Sequence, residues 1–191
     1  MDLYEVIKKR RSVRRFSDKT PDWRKVIQAV ESARWAPTAD NMPTTRFVLI
    51  DDADKIQKIK NACQQDFVGQ AKYILVVASD TDKLKKYYND KLGEAFARQQ
   101  TGAAIQNVLL RLTDLGIASC WVGLYAEDQV RTIAKIPEWL EMEAVIAIGM
   151  ETKIKTHTPD KPDVASFLNF NEFGYYGRFL HPRWRTAADT L

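Results

Sequence analysis

Apolar residues recur along this chain with two different periods. Spacings of three and four predict helices over 2–10 (Leu3, Val6, Ile7), from Trp23 through Val26, Ile27, Val30 and Ala33, and over 53–64 (Ile56, Ile59, Cys63). The same spacing covers most of 82–115, where Ile105, Val108, Leu109, Leu112 and Leu115 share one side, and returns over 127–135. Short, mostly apolar runs at 47–50, 73–78, 118–123 and 143–149 predict strands. The second is continuously apolar and rich in β-branched residues, as a strand covered on both faces should be. Thr20-Pro21-Asp22 reads as a helix N-cap, a proline in the first helical position and an acidic first turn. Pro37 stops that helix, Gly93 marks a bend, and Gly116 fits a left-handed cap.

Helices and strands alternate with several long crossovers, which predicts a three-layer α+β domain around a mixed sheet of four or five strands. The 191 residues suffice for one domain with a real core, read as spanning 1–191. The last forty or so residues differ. They are polar and proline-bearing, then aromatic, with Phe167, Phe170, Phe173, Tyr175, Tyr176, Phe179 and Trp184. Such a stretch, from about 151 to 191, is expected as an extended arm on another surface. Either a partner subunit or its own domain would serve.

Composition narrows the function. Twenty-nine basic residues against 25 acidic ones leave a formal charge of +4, which suits an anionic ligand without requiring nucleic acid. Cys63 and Cys120 stand too far apart to suggest a disulfide framework, and His157 and His181 lack metal-ligand spacing, so no metal is expected. No apolar run reaches membrane-spanning length and the chain opens directly on a helix, so a cytoplasmic setting and no membrane partner are expected.

The densest chemistry lies in Arg10-Arg11-Ser12-Val13-Arg14-Arg15-Phe16. Guanidinium is planar, permanently charged and able to grip two phosphate oxygens. Four such groups within six residues repel one another unless an anion sits among them. A solvated basic face and a phosphate pocket are both compatible with the run alone.

Three later patches bear on that choice: Ala36-Pro37-Thr38-Ala39-Asp40-Asn41, the strand from Leu115-Gly116 to Cys120-Trp121-Val122-Gly123, and Lys161-Pro162. In this order the four patches resemble the flavin-dependent nitroreductase family over roughly residues 3 to 175. The resemblance implies that Arg10, Arg11, Ser12 and Arg14 hold the phosphate and ribityl chain of tightly bound FMN, with Lys161 as a further cation. It implies that Pro37, Thr38 and Asn41 cross to the flavin of the other subunit. It also implies that the backbone around Trp121, Val122 and Gly123 approaches the ring, an amide of Val122 or Gly123 lying near N5. The Trp121 indole itself reads as core packing, and Cys120 as a buried thiol. Pro43, Thr44 and Thr45 depart from the family pattern, as does Asp163.

The activity so implied is hydride transfer from NADH or NADPH through flavin to a small organic acceptor such as a nitroaromatic, quinone or enone, in a homodimer. The flavin does the bond making, so no catalytic side chain is named. Family variants that dehalogenate, dehydrogenate heterocycles or consume flavin are an alternative, governed by lid residues within about 82–100, with Tyr87, Tyr88 and Phe96 as candidates. A non-redox flavin carrier is another. A nucleic-acid module using the basic run with Arg178, Arg183, Trp184 and Arg185 ranks below these, because carboxylates are dispersed through the chain and no groove-reading motif occurs.

Overall fold

A computed structural model describes residues 2–152 and 160–176. These divide into two units, with the boundary between 155 and 156. The first unit holds α1 (Leu3–Lys9), α2 (Trp23–Glu31), β1 (Thr45–Ile50), α3 (Ala53–Cys63) and β2 (Tyr73–Ser79), followed by α4 (Thr81–Tyr87), α5 (Asp90–Asp114), β3 (Ala118–Val122), α6 (Glu127–Ala134) and β4 (Glu141–Gly149).

The strands form one sheet in the order β1-β2-β4-β3. Every pairing among the described residues is antiparallel, from Thr45↔Ser79 through Val76↔Val145 to Val122↔Val145. The parallel component expected from the strand–helix–strand pattern is thus not found in this sheet. The reason is visible in the order. The long α5 does return the chain so that β2 and β3 run in the same direction, but β4 slots between them and pairs with both.

Three layers follow from strand alternation. Tyr73, Leu75 and Val77 of β2 join Ala144, Ile146 and Ile148 of β4 against Val26 and Ala29 of α2 and Ile105, Val108 and Leu112 of α5. Ile74, Val76 and Ala78 turn the other way, with Cys120, Val122, Val145 and Ala147, onto Ile56 and Ile59 of α3 and Val130 of α6. Every residue of β2 is buried, as its continuous apolar run requires.

Several local expectations shift. Asp22, not Thr20, caps α2, its carboxylate accepting from Arg24 N at 3.0 Å. Pro21 stays outside the helix, and its carbonyl accepts from the Tyr73 hydroxyl at 3.2 Å. The break in 82–115 falls at Tyr88 and Asn89, where the Asn89 side chain caps α5. Gly93 lies in the first turn of α5, not at the bend. It marks instead the closest approach of α5 to the backbone of α4. Gly116, at φ 73°, is the left-handed cap expected.

Leu3 and Ile7 do not enter the core. They are exposed along with Tyr4 of α1 and with Trp23 and Ile27 of α2, and only Val6 of α1 is buried.

The described part of the second unit contains one 3-10 turn, Val164–Ser166. Asp163 caps it, accepting from Ala165 N at 2.9 Å, which accounts for an acid at a position where the family pattern has an apolar residue. Phe167, Phe173, Tyr175 and Tyr176 are exposed. Phe179, Trp184 and the basic Arg178, Arg183 and Arg185 lie outside the described residues, as do His157 and His181.

Candidate functional site

The basic run is an extended segment laid along the edge of β3. Val13 N donates to the Ser119 carbonyl at 3.0 Å, Phe16 bridges to Glu151, and Ser17 N donates to the Met150 carbonyl at 2.7 Å. Two apolar side chains, Val13 and Phe16, anchor it in the core. The Phe16 ring lies over Gly149, where an added Cβ would come within 2.8 Å of ring atom Cδ1. Its backbone N–H donates to Gln70 Oε1 at 3.2 Å.

The four guanidiniums do not share one role. Nη2 of Arg11 bridges both carboxylate oxygens of Glu151, at 2.5 and 2.6 Å. Among the described residues Arg11 alone of the run is paired with a carboxylate. This pair neutralises one of the four charges and ties the segment to the end of β4. Ser12 and Arg14 are exposed and lie near β3 instead, close enough to the Cys120 thiol for both to favour its ionised form. Burial raises that thiol above its ordinary value, and the Arg14 guanidinium opposes the rise. The Cys63 thiol is pushed up to about 11 by burial. Neither cysteine has the thiolate character of a nucleophile.

At the far end of β3 the chain leaves the sheet. Trp121 is 40 % exposed, so the reading of its indole as core packing does not hold. β3 is an edge strand, and Trp121 alternates with buried Cys120 and Val122 onto the face that its neighbours leave open. Gly123 follows with nothing within 4 Å of the position a Cβ would take. From Ser119 to Gly123 the strand covers about 13 Å.

The segment 37–45 is shaped by tertiary contacts. Thr38 is half-buried while Pro37 and Asn41 are exposed. Asp40 and Asn41 both adopt left-handed backbone, at φ 45° and 52°. A buried side chain of α5 fixes this turn: Gln100 accepts from Ala39 N at 3.1 Å, and its Nε2 donates to the Met42 carbonyl at 3.2 Å and to Thr44 Oγ1. Thr45 Oγ1 meets Thr101 Oγ1 at 2.9 Å. The two threonines that break the family pattern therefore bolt the start of β1 to α5. Gln100 was not legible as a site residue. Its one signal is a polar side chain inside the apolar stripe of a helix, the usual mark of a buried hydrogen-bonding task.

Glu143 sits where the β2–β4 register shifts, and accepts a hydrogen bond from Ser79 Oγ at 2.5 Å. Burial raises its carboxyl above the usual range, with nearby Glu141 adding to the rise while the Ser79 bond and Arg98 oppose it. Folding thus favours the protonated acid. That contribution is complete below the ordinary glutamate range and is lost as pH rises through the elevated folded-state value. Glu143→Gln removes the ionisation and keeps a polar partner for Ser79. Its melting temperature is expected to exceed that of the wild type at about pH 8 and to lose this advantage at about pH 5. Equal pH slopes for the two proteins would refute the assignment.

Lys161 is exposed and belongs to the second unit. Among the described residues no group of three or more His, Cys, Asp and Glu side chains could hold a metal ion. None of the described helices is long and apolar enough to cross a membrane.

Comparison with known proteins accords with this geometry. A family model described as the Nitroreductase family matches residues 7–66 and 59–150. A protein of Archaeoglobus fulgidus with the provisional name NADH dehydrogenase/NAD(P)H nitroreductase is 29 % identical over 153 residues, covering 78 % of this chain and 84 % of its own. An FMN-dependent nitroreductase of Clostridium difficile has a similar fold, with a TM-score of 0.74 at 23 % identity over 88 % of this chain and 98 % of its own. So does an iodotyrosine deiodinase solved with FMN and 3-iodo-L-tyrosine, with a TM-score of 0.76 at 21 % identity over 90 % of this chain and the whole of the other.

Proposed function

The chain belongs to the nitroreductase family, and on that premise we propose that it is an FMN-dependent oxidoreductase that takes electrons from NADH or NADPH and delivers them to a small organic acceptor of the nitroaromatic, quinone or enone class. The observation that carries this reading is the division of labour in the basic run. Arg11 is spent on Glu151. Ser12 and Arg14 are left exposed on either side of Val13, whose N–H docks on the Ser119 carbonyl, with Arg10 in the same segment. That is a donor set of hydroxyl and guanidinium suited to a phosphate monoester.

The residues present fit the cofactor. Arg10, Ser12 and Arg14 would hold the phosphate end. Gly123 leaves open space where a side chain would stand, so backbone of Val122 and Gly123 is available to a planar ring. Pro37, Thr38 and Asn41 would serve the ring bound to a second subunit. Bound flavin supplies reversible two-electron chemistry, with donor and acceptor using the same face in turn, a ping-pong order. The protein would bind and orient it, the Val122 or Gly123 amide being a candidate fixed dipole toward the ring, and no side chain here is needed as an acid or base.

A homodimer is supported by apolar side chains that the single chain leaves in water: Leu3, Tyr4 and Ile7 on α1, and Trp23 and Ile27 on α2. The aromatic C-terminal stretch is assigned to the partner's surface on the same reasoning.

The purified protein is expected to be yellow, with its visible flavin bands bleached by NAD(P)H without oxygen. A colourless protein that cannot be reconstituted with FMN would refute the reading.

A further inference from the structure

A cleft of about 380 Å³ opens between the segment 37–39 and the start of α5, lined also by Tyr88, Phe96, Gln99 and Gln100. Its size is that of a small-molecule pocket. Two features give it a definite chemistry. The first is an aromatic wall. Tyr88 stands edge-on to Phe96 with ring centroids 5.0 Å apart, and Tyr87 is edge-on to Tyr88 at 4.9 Å. Rings locked in this way offer a rigid surface to another planar ring. The second is a negative rim. The Tyr88 hydroxyl donates to Asp40 Oδ2 at 2.8 Å, joining the turn 39–41 to the junction of α4 and α5. The carboxylate holds that phenol above its ordinary value, so the hydroxyl stays protonated and the rim keeps its single negative charge. Asp40 takes a left-handed backbone to reach this position, a conformation that asparagine and aspartate tolerate better than other side chains. Arg98, on α5 next to Gln99, interacts electrostatically with Glu94 and Glu143, which offset its charge.

We infer that the Asp40 carboxylate, latched to Tyr88 at the rim of this cleft, is a specificity determinant that makes the enzyme select neutral or cationic planar acceptors over anionic ones. This rests on the functional reading above, because Pro37 and Thr38 line both the cleft and the assigned ring site. The amides of Gln99 and Gln100 add polar groups for a carbonyl or nitro oxygen. Gln100 is already committed to the backbone of the turn, which leaves Gln99, exposed on the same wall, as the adaptable one.

The test compares 4-nitrobenzamide, 4-nitrobenzyltrimethylammonium and 4-nitrobenzoate as acceptors for the FMN-loaded wild type and for Asp40→Asn. Each kcat/KM is taken as a ratio to the benzamide, and the wild-type ratio is compared with that of the variant, so intrinsic differences in reducibility cancel. Asp40→Asn suits the backbone and removes only the charge. It is expected to raise the benzoate ratio about tenfold and to lower the trimethylammonium ratio, the size of effect one nearby unit charge produces at a partly exposed site. Calorimetric titration with benzoate and benzamide gives a second readout that is independent of turnover, with the same shift expected. Tyr88→Phe frees the carboxylate from its latch and is expected to weaken binding of all three. Ratios that Asp40→Asn leaves unchanged in both measurements overturn the inference. A wild-type protein that NAD(P)H does not bleach overturns the functional reading instead.

Discussion

Arg10→Ala is expected to raise the dissociation constant for FMN by about ten- to a hundredfold, because a hydrogen bond to a charged group contributes about 1.5–3 kcal/mol. The melting temperature of its apo-protein should stay near that of the wild type. Arg11→Ala, one residue on, is expected to do the reverse. It removes the partner of Glu151, whose carboxylate is then left 27 % exposed without its cation. The cost to apo-protein stability should be about 1–2 kcal/mol, since the contact is partly sheltered and charge-assisted. For a chain of this length that is roughly 2–8 °C in melting temperature. FMN affinity would fall only as far as the loosened segment lets Ser12 and Arg14 drift. Fluorescence titration of released FMN, with thermal unfolding of the apo-proteins, separates the two. If both variants lose FMN equally at equal stability, the division of labour is wrong. Two adjacent arginines thus differ because one faces the end of β4 and the other does not, a difference no count of charges reveals.

Gly93→Ala carries the second large effect. A Cβ built there would clash with the backbone N of Lys85 and lie 2.7 Å from its Cα and 2.8 Å from the carbonyl carbon of Leu84. All three are backbone atoms of α4, so relief requires moving the helix. Moving it disturbs Leu84, which is fully buried, and the Lys85–Glu94 pair at 2.9 Å. Alanine's higher helix propensity offers about 0.8–1 kcal/mol in compensation. Overpacking against rigid neighbours typically costs about 1–3 kcal/mol and sometimes more. The net expectation is a loss of about 1–2 kcal/mol, read as a fall of roughly 2–8 °C in thermal unfolding. A variant as stable as the wild type would show that the α4–α5 contact yields freely. The same contact places Tyr88 at the helix junction, so the substitution is also expected to disturb its bond to Asp40.

The chain's own order of residues determined what depends on near neighbours. Helical spacing placed α3, α5 and α6, and the unbroken apolar run of β2 announced a strand covered on both faces. The glycine after Leu115 announced a left-handed cap, and four patches in order, from Arg10–Phe16 to Lys161-Pro162, announced the family. These are legible because side-chain period and backbone preference act within a few residues. Only the tertiary structure decided which surfaces meet. It set β4 between β2 and β3, so those two strands run in the same direction without pairing. It left Trp121 on an open edge, and it spent Arg11 on a carboxylate 140 positions away. It also made Gln100, and the threonines that depart from the family pattern, into the clamp on the turn that carries Asp40 and Asn41. Polar groups find partners according to the faces that packing brings together, and burial makes those partnerships obligatory. No periodicity along the chain encodes them.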